Sequence, residues 1–186
     1  MRILKNIGSQ LHIYLLWALL AALLWGWIFT FVTDTTPARK VTVFIDAYEC
    51  RDKELSLELE KHLPRGIRMI KVHPFSYAMF DAETLLGADL YVIPASKMEE
   101  YRDSFIPAEE LSLTENRTVS PQGGIRIYEA DTDSGGAWSY ITYTEPGTEG
   151  EDYYLFFGAK SLHAAPLTGS GDDAALAVAE LLLNMK

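Results

Sequence analysis

VTVFIDAYECRDKELSLELEKHLPRGIRMIKV, residues Val41 to Val72, decides the fold class. Val41–Ile45 is a β-branched and aromatic run of the kind found in strands buried on both faces. Arg51–Leu63 then sets Leu55, Leu59 and Leu63 four residues apart, one apolar stripe of a helix, and Pro64-Arg65-Gly66 ends it. Ile67–Val72 returns to the strand pattern. Strand, helix and strand in this order predict parallel pairing with a right-handed crossover, because the connecting chain must travel back over one face of the sheet.

Toward the C-terminus, Tyr77–Leu86 reads as a short helix closed by Gly87, and Ala88–Ile93 (ADLYVI) as a third strand stopped by Pro94. Ser96 with Glu99 three residues on reads as a capping box that opens another helix. Ile106–Gln122 is polar and loop-like. Ile125–Glu129, Trp138–Thr144 and Tyr153–Phe157 are strand runs separated by glycine- and acid-rich turns, with no helix between them, which predicts antiparallel neighbours or edge additions. The chain closes on Asp172–Met185, whose interior AALAVAELLL is apolar on nearly every side and must be buried against the sheet. Ser170 is placed to cap this helix, and Asp172 and Asp173 complement its dipole. The fold class expected is a three-layer α/β/α domain, its sheet mainly parallel with antiparallel additions.

Toward the N-terminus, Ile13–Val32 (IYLLWALLAALLWGWIFTFV) carries no charge. As a helix, twenty residues rise about 30 Å, the thickness of a bilayer's hydrocarbon core. Arg2 and Lys5 precede the run and Asp34 is the first charge after it, so the positive-inside bias puts the N-terminus in the cytoplasm and residues 34–186 outside. A cleaved secretory signal is the rival, but it needs an apolar core of about 7–15 residues and a small-x-small cleavage site. Phe29–Thr33 offers no such site, and the only cysteine, Cys50, is too distant for a lipoprotein signal. The expected organisation is a cytoplasmic N-terminus (1–12), a transmembrane anchor (13–33), a tether (34–40) and one extracytoplasmic α/β domain (41–186) in the plasma membrane.

Composition narrows the function. All 26 acidic residues and all but two of the 16 basic ones lie in residues 34–186, a net of −12. That charge favours solubility and argues against nucleic acid or a direct hold on anionic lipid. One cysteine cannot make an internal disulfide or a cysteine-rich zinc site.

The strand VTVFIDA, the helix after it, IRMIKV and GADLYVIPASKMEEYRDSFIPAEEL are together similar to the N-terminal lobe of extracellular solute-binding proteins of ABC importers, a type II periplasmic-binding fold. Gly124–Tyr128 resembles the hinge strand that leaves that lobe, and Tyr154–His163 with the C-terminal helix resembles the returning chain. The family inserts a second lobe of a hundred or more residues between hinge and return. Here only 25 residues separate Tyr128 from Tyr154, so the resemblance implies a single lobe that cannot clamp a ligand between two.

In an open parallel sheet ligands bind beyond the carboxyl ends of the strands. That rule selects Asp46, Tyr48 and Glu49 after the first strand, His73 and Phe75 after the second, and Pro94 to Lys97, with Ser96, after the third. Carboxylates, aromatic rings and a cation there suit a sugar, peptide or amine; the plainer reading is that Glu49 satisfies a helix start and Tyr48 packs on the sheet edge. Cys50 stands near a helix start, where the dipole could lower its pKa, but it has no cysteine or base partner in sequence, which favours a lone buried or half-buried cysteine without a redox role. Asp131-Thr132-Asp133-Ser134-Gly135-Gly136 imitates a calcium loop, yet position 12 is Thr142 rather than glutamate, which favours a hairpin turn. His12, His62, His73 and His163 lack metal-ligand spacing, and Ser161 with His163 lacks a nucleophile elbow. Asn116-Arg117-Thr118 is a sequon, common by chance. No cofactor or metal is expected. The functional expectation is a non-enzymatic binding or assembly subunit beside a membrane protein partner. The alternatives are a small-ligand receptor for an ABC importer using Asp46, Tyr48, Glu49, Ser96 and Lys97, and an enzyme of unrecognised type.

Overall fold

A computed structural model describes residues 2–33, 35–74, 87–108, 111–115, 117–169 and 171–186, with the side chains of the first helix described from Ile13 to Phe29. The chain divides into two compact units, Met1–Thr36 and Pro37–Lys186. The first is helix α1 (Arg2–Thr33), a leucine- and alanine-rich run without proline. Every side chain from Ile13 to Phe29 is exposed. That stretch rises about 25 Å at about 1.5 Å per residue, and among the described residues no helix is long and apolar enough to cross a membrane.

The second unit runs in chain order β1 (Lys40–Ile45), β2 (Glu49–Cys50), α2 (Asp52–Glu60), β3 (Met69–Pro74), β4 (Leu90–Pro94), β5 (Phe105–Ile106), β6 (Ile125–Glu129), β7 (Ser134–Gly135), β8 (Ile141–Thr142), β9 (Tyr153–Gly158), α3 (Ala165–Thr168) and α4 (Ala174–Asn184). Its principal sheet has the order β3-β1-β4-β9-β6-β7, with β5 also on β9, while β2 and β8 make a separate pair. β1 runs parallel to both β3 and β4, as the strand–helix–strand pattern requires. β9 then enters antiparallel between β4 and β6. The domain is mixed α/β, its antiparallel part reaching the centre of the sheet and not only its edge.

Alternation along the strands sorts side chains onto two faces. Val41, Val43, Ile45, Leu90, Val92, Leu155 and Phe157 join Leu55 and Leu59 of α2 and Ala175, Val178 and Leu182 of α4 in one buried cluster. Phe44, Tyr91, Ile93 and Phe156 point the other way and pack with Tyr101 and Phe105. Phe105 stacks on Phe156 at 4.1 Å and meets Tyr91 edge-on at 5.3 Å. β3 is an edge strand, and α2 shields it: Ile70 N–H donates to Glu60 Oε1 at 3.3 Å and Val72 N–H to Ser56 Oγ at 3.1 Å. Those bonds occupy donors that another strand would otherwise pair with.

Four sequence expectations change. The second strand runs from Met69 to Pro74, later than Ile67–Val72. Helix α2 ends at Glu60, so Leu63 leaves the apolar stripe and is partly exposed. No α-helix starts at Ser96: a 3₁₀ turn, Ala95–Lys97, follows Pro94. The capping box fails because Glu151 takes both Ser96 N–H and its hydroxyl, while Glu99 pairs with Arg102. The strand expected over Trp138–Thr144 shrinks to Ile141–Thr142. Ahead of it the chain turns, with Ala137 in the left-handed region at φ 53° and its N–H bound to Met185 O at 2.7 Å. The expected helix at 77–86, Phe75, Asn116 and Ser170 lie outside the described residues.

Candidate functional site

The carboxyl ends of β1 and β4 sit side by side. Asp46 N–H still donates to Val92 O at 2.8 Å, so Asp46 is held rigidly as the first residue past β1. Its side chain is buried and meets Lys97 Nζ at 2.8 Å. Pro94 ends β4 in an extended conformation, and the 3₁₀ turn that follows swings Lys97 over the strand ends. Burial pushes the Asp46 carboxyl above its ordinary value, opposed by the hydrogen bond and charge of Lys97 and helped by the charges of Glu100 and Glu151.

Glu151 closes the other wall. Its carboxylate accepts Ser96 N–H at 2.8 Å and Ser96 Oγ–H at 3.0 Å. The adjoining Asp152 accepts Ala130 N–H at 2.9 Å, and its carbonyl accepts Ala95 N–H. The Glu151-Asp152 pair therefore ties the end of β4 to the end of β6, just where β9 begins.

Asp46, Tyr48 and Lys97 line a cavity of about 270 Å³ together with Glu145, Thr148, Glu149, Glu151, Tyr143 and Tyr153. Ser96 adjoins it through Glu151. Glu49 does not line it; it lies in β2, opposite Thr142 of β8. A second cavity of about 540 Å³ shares Tyr143, Thr144, Glu145 and Thr148 and extends past Tyr128 and Asp133 to Trp138. Tyr48 and Trp138, at 55% and 62% exposure, are the large rings offered to solvent on these walls. Behind them Tyr128 stacks on Tyr143 at 4.4 Å, and Tyr153 meets both edge-on. Their hydroxyls are committed: Tyr128 to Asp133 Oδ1 at 2.7 Å, Tyr153 to Tyr143 O at 2.6 Å, and Tyr143 to Gly136 O. Desolvation holds the Tyr143 and Tyr153 phenols well above the usual range, so they stay protonated donors. The result is a rigid aromatic floor with carboxylates and one lysine around it, a surface for binding by stacking and charge.

Glu145, Thr148, Glu149 and Glu151 escaped the sequence reading. They belong to EPGTEGE, an acidic, glycine-bearing connection that reads as a spacer between strands; only its density of carboxylates marked it.

The other candidates resolve separately. Cys50 is half-buried in β2, and burial, with the Asp52 charge, pushes its thiol up to about 12. This is the lone half-buried cysteine that the absence of a partner in sequence favours, with burial and the Asp52 charge outweighing any lowering by a helix start. Asp131–Gly136 is a hairpin: β6 and β7 pair Tyr128 with Gly135 and Glu129 with Ser134. His73 is half-buried near the end of β3, its pKa lowered by burial and by Lys71 and Lys40. Ser161 donates to Asp89 Oδ1 at 2.6 Å and not to His163. Among the described residues no group of histidine, cysteine and acidic side chains is arranged to hold a metal ion.

No family model, no curated protein and no solved structure matches this chain.

Proposed function

We propose that the chain is a membrane-anchored binding or assembly subunit: α1 is the anchor, the N-terminus is cytoplasmic, and residues 37–186 form an extracytoplasmic, non-enzymatic domain whose groove at the strand ends meets its partner. The observation that carries this reading is the helix α1, whose side chains from Ile13 to Phe29 are apolar on every side and exposed on every side. A helix hydrophobic all round needs an apolar surrounding, and in the sequence the uncharged run continues to Val32. Residues 34–36 are too few to carry the domain far, at most about 10 Å at 3.3–3.6 Å each, so partners of the groove would be membrane proteins.

The single-lobe kinship with solute-binding proteins is part of this proposal. It is supported by the parallel order β3-β1-β4, by the return strand β9 lying beside β4, and by residues 129–152 forming only short strands and turns. The full-length chain, solubilised in detergent and used as bait after cross-linking, should retain a membrane protein that Trp138→Ala and Tyr48→Ala weaken. Recovery always alone, or a partner indifferent to both substitutions, counts against the assembly role.

The cavity lined by Asp46, Tyr48 and Lys97 favours a second reading, a small-ligand receptor of an ABC importer. Thermal-shift screening of the full chain against sugars, amino acids and polyamines decides it: a stabilising ligand whose effect is lost in Tyr48→Ala supports a receptor, and a blank screen removes it.

A further inference from the structure

His163 lies outside the groove and is 1% exposed. Both of its ring nitrogens face acceptors: Nδ1 stands 2.8 Å from Asp172 Oδ1, and Nε2 stands 2.9 Å from the carbonyl oxygen of Pro37. A neutral imidazole has one N–H and satisfies one acceptor; only the imidazolium donates to both. The surroundings are fixed by the backbone. Asp172 Oδ1 also accepts Ala174 N–H at 3.0 Å, which ties it to the start of α4. His163 N–H donates to Ser161 Oγ, Ser161 donates to Asp89 Oδ1, and Asp89 Oδ2 accepts Thr42 N–H from β1. The charged groups around the ring are thus the carboxylates of Asp172, ahead of α4, and Asp89, ahead of β4, with the Pro37 carbonyl completing the cage.

We propose that His163 is a proton-operated clasp: as imidazolium it fastens Pro37, the first residue of the domain, to the start of α4, and loss of its proton releases Pro37 and the turn at Pro37–Arg39. Deprotonation leaves one of the two acceptors without its imidazole donor, and the exposed Pro37 and Ala38 are the part free to leave. Arg39 stays, because its carbonyl accepts Arg68 N–H, and Lys40 is already in β1. Burial alone would lower the pKa of the ring, but the Pro37 carbonyl, Asp172 and Asp89 together raise it above 6.5. Each unit of that rise is a tenfold preference of the proton for the clasped form. The clasp does not depend on where the chain resides or on what the groove binds.

The test uses full-length, ¹⁵N-labelled protein in detergent micelles, with His163→Gln to assign the ring signals. The expected result is a His163 ring carrying both N–H groups at pH 6.5, a midpoint above that value, and a downward shift of the midpoint in Asp172→Asn. The Ala38 amide signal, which shares a peptide unit with the Pro37 carbonyl, should shift with the same midpoint as the ring and show no such titration in His163→Gln. A singly protonated ring at pH 6.5, a midpoint unmoved by Asp172→Asn, or an Ala38 signal indifferent to the proton overturns the proposal. Asp172→Asn keeps the question answerable even where His163→Gln does not fold.

Discussion

Helix α1 and the domain after it use apolar residues in opposite ways. From Ile13 to Phe29 leucine, tryptophan and alanine are all exposed, whereas in residues 37–186 the same residue types close into two buried clusters. The domain makes its own apolar interior, whereas α1 leaves its described side chains exposed. On the membrane-anchored reading proposed above the two units answer to different solvents, and substitutions should separate them.

The largest effect is expected in α1. Leu19→Arg with Leu23→Arg places two charges near its middle, each costing roughly 2.5–3.5 kcal/mol in a bilayer centre. The doubly substituted chain should leave the membrane fraction while the melting temperature of the domain stays put. Fractionation and circular dichroism check both halves of that statement.

The converse substitution is Phe156→Ala. Phe156 is fully buried at the centre of the sheet and stacks on Phe105. Its truncation should destabilise the domain by about 3–5 kcal/mol, read by denaturant unfolding, with membrane residence unchanged. Gly124 owes its identity to the same ring, since a Cβ there would fall 2.3 Å from the Phe156 ring.

A middle-sized effect belongs to the groove. Lys97→Met strands the buried Asp46 carboxylate, at a cost of about 1–3 kcal/mol. The loss should shrink on acidification, because a protonated Asp46 needs no cation. A loss independent of pH would mean that Lys97 acts through packing alone.

The pH dependence contributed by three buried groups has a definite sign. Burial raises Asp46 and Asp89 above 3.8, so the folded state binds their protons more tightly and loses that advantage as pH rises through the raised values. His163 is raised above 6.5; its contribution is complete below 6.5 and is lost as pH climbs through the folded value. These three act the same way, whereas His73, its pKa lowered by burial, favours the folded state as pH rises toward 6.5; the melting temperature should therefore fall as pH rises past 6.5 through the folded value of His163. Asp89→Asn should flatten the lower part of that profile and His163→Gln the upper part. The smallest effect is on the surface: Glu54→Gln breaks an exposed pair with Arg51 and should change stability by less than about 0.5 kcal/mol.

The parallel strands were legible because a doubly buried strand must be apolar at nearly every position, as Val41–Ile45 is. The terminal helix was legible because its apolar run must find cover, although only the face of Ala175, Val178, Ala179 and Leu182 is buried while Ala177 and Glu180 are exposed. Ser96 misled because a capping box is a local pattern, and Glu151, 55 residues away, competes for the same donors. The strand over Trp138–Thr144 misled because its aromatic residues serve two ends: Tyr143 is buried in the tyrosine stack while Trp138 faces outward. At the candidate site, Asp46, Tyr48 and Lys97 followed from the rule about strand ends. Glu145, Glu149 and Glu151 did not, since they reach the cavity through tertiary contact from the antiparallel half. His163 looked idle in sequence because both of its ring partners, Pro37 and Asp172, depend on how the ends of the domain meet.

The central claim is that α1 holds the domain at the outer face of a membrane. Cells expressing the full chain with a C-terminal tag should retain it in membranes through alkaline carbonate extraction, and protease added outside intact, outer-barrier-free cells should remove the tag. Release of the chain by carbonate, or a tag protected until the cells are lysed, would contradict the account.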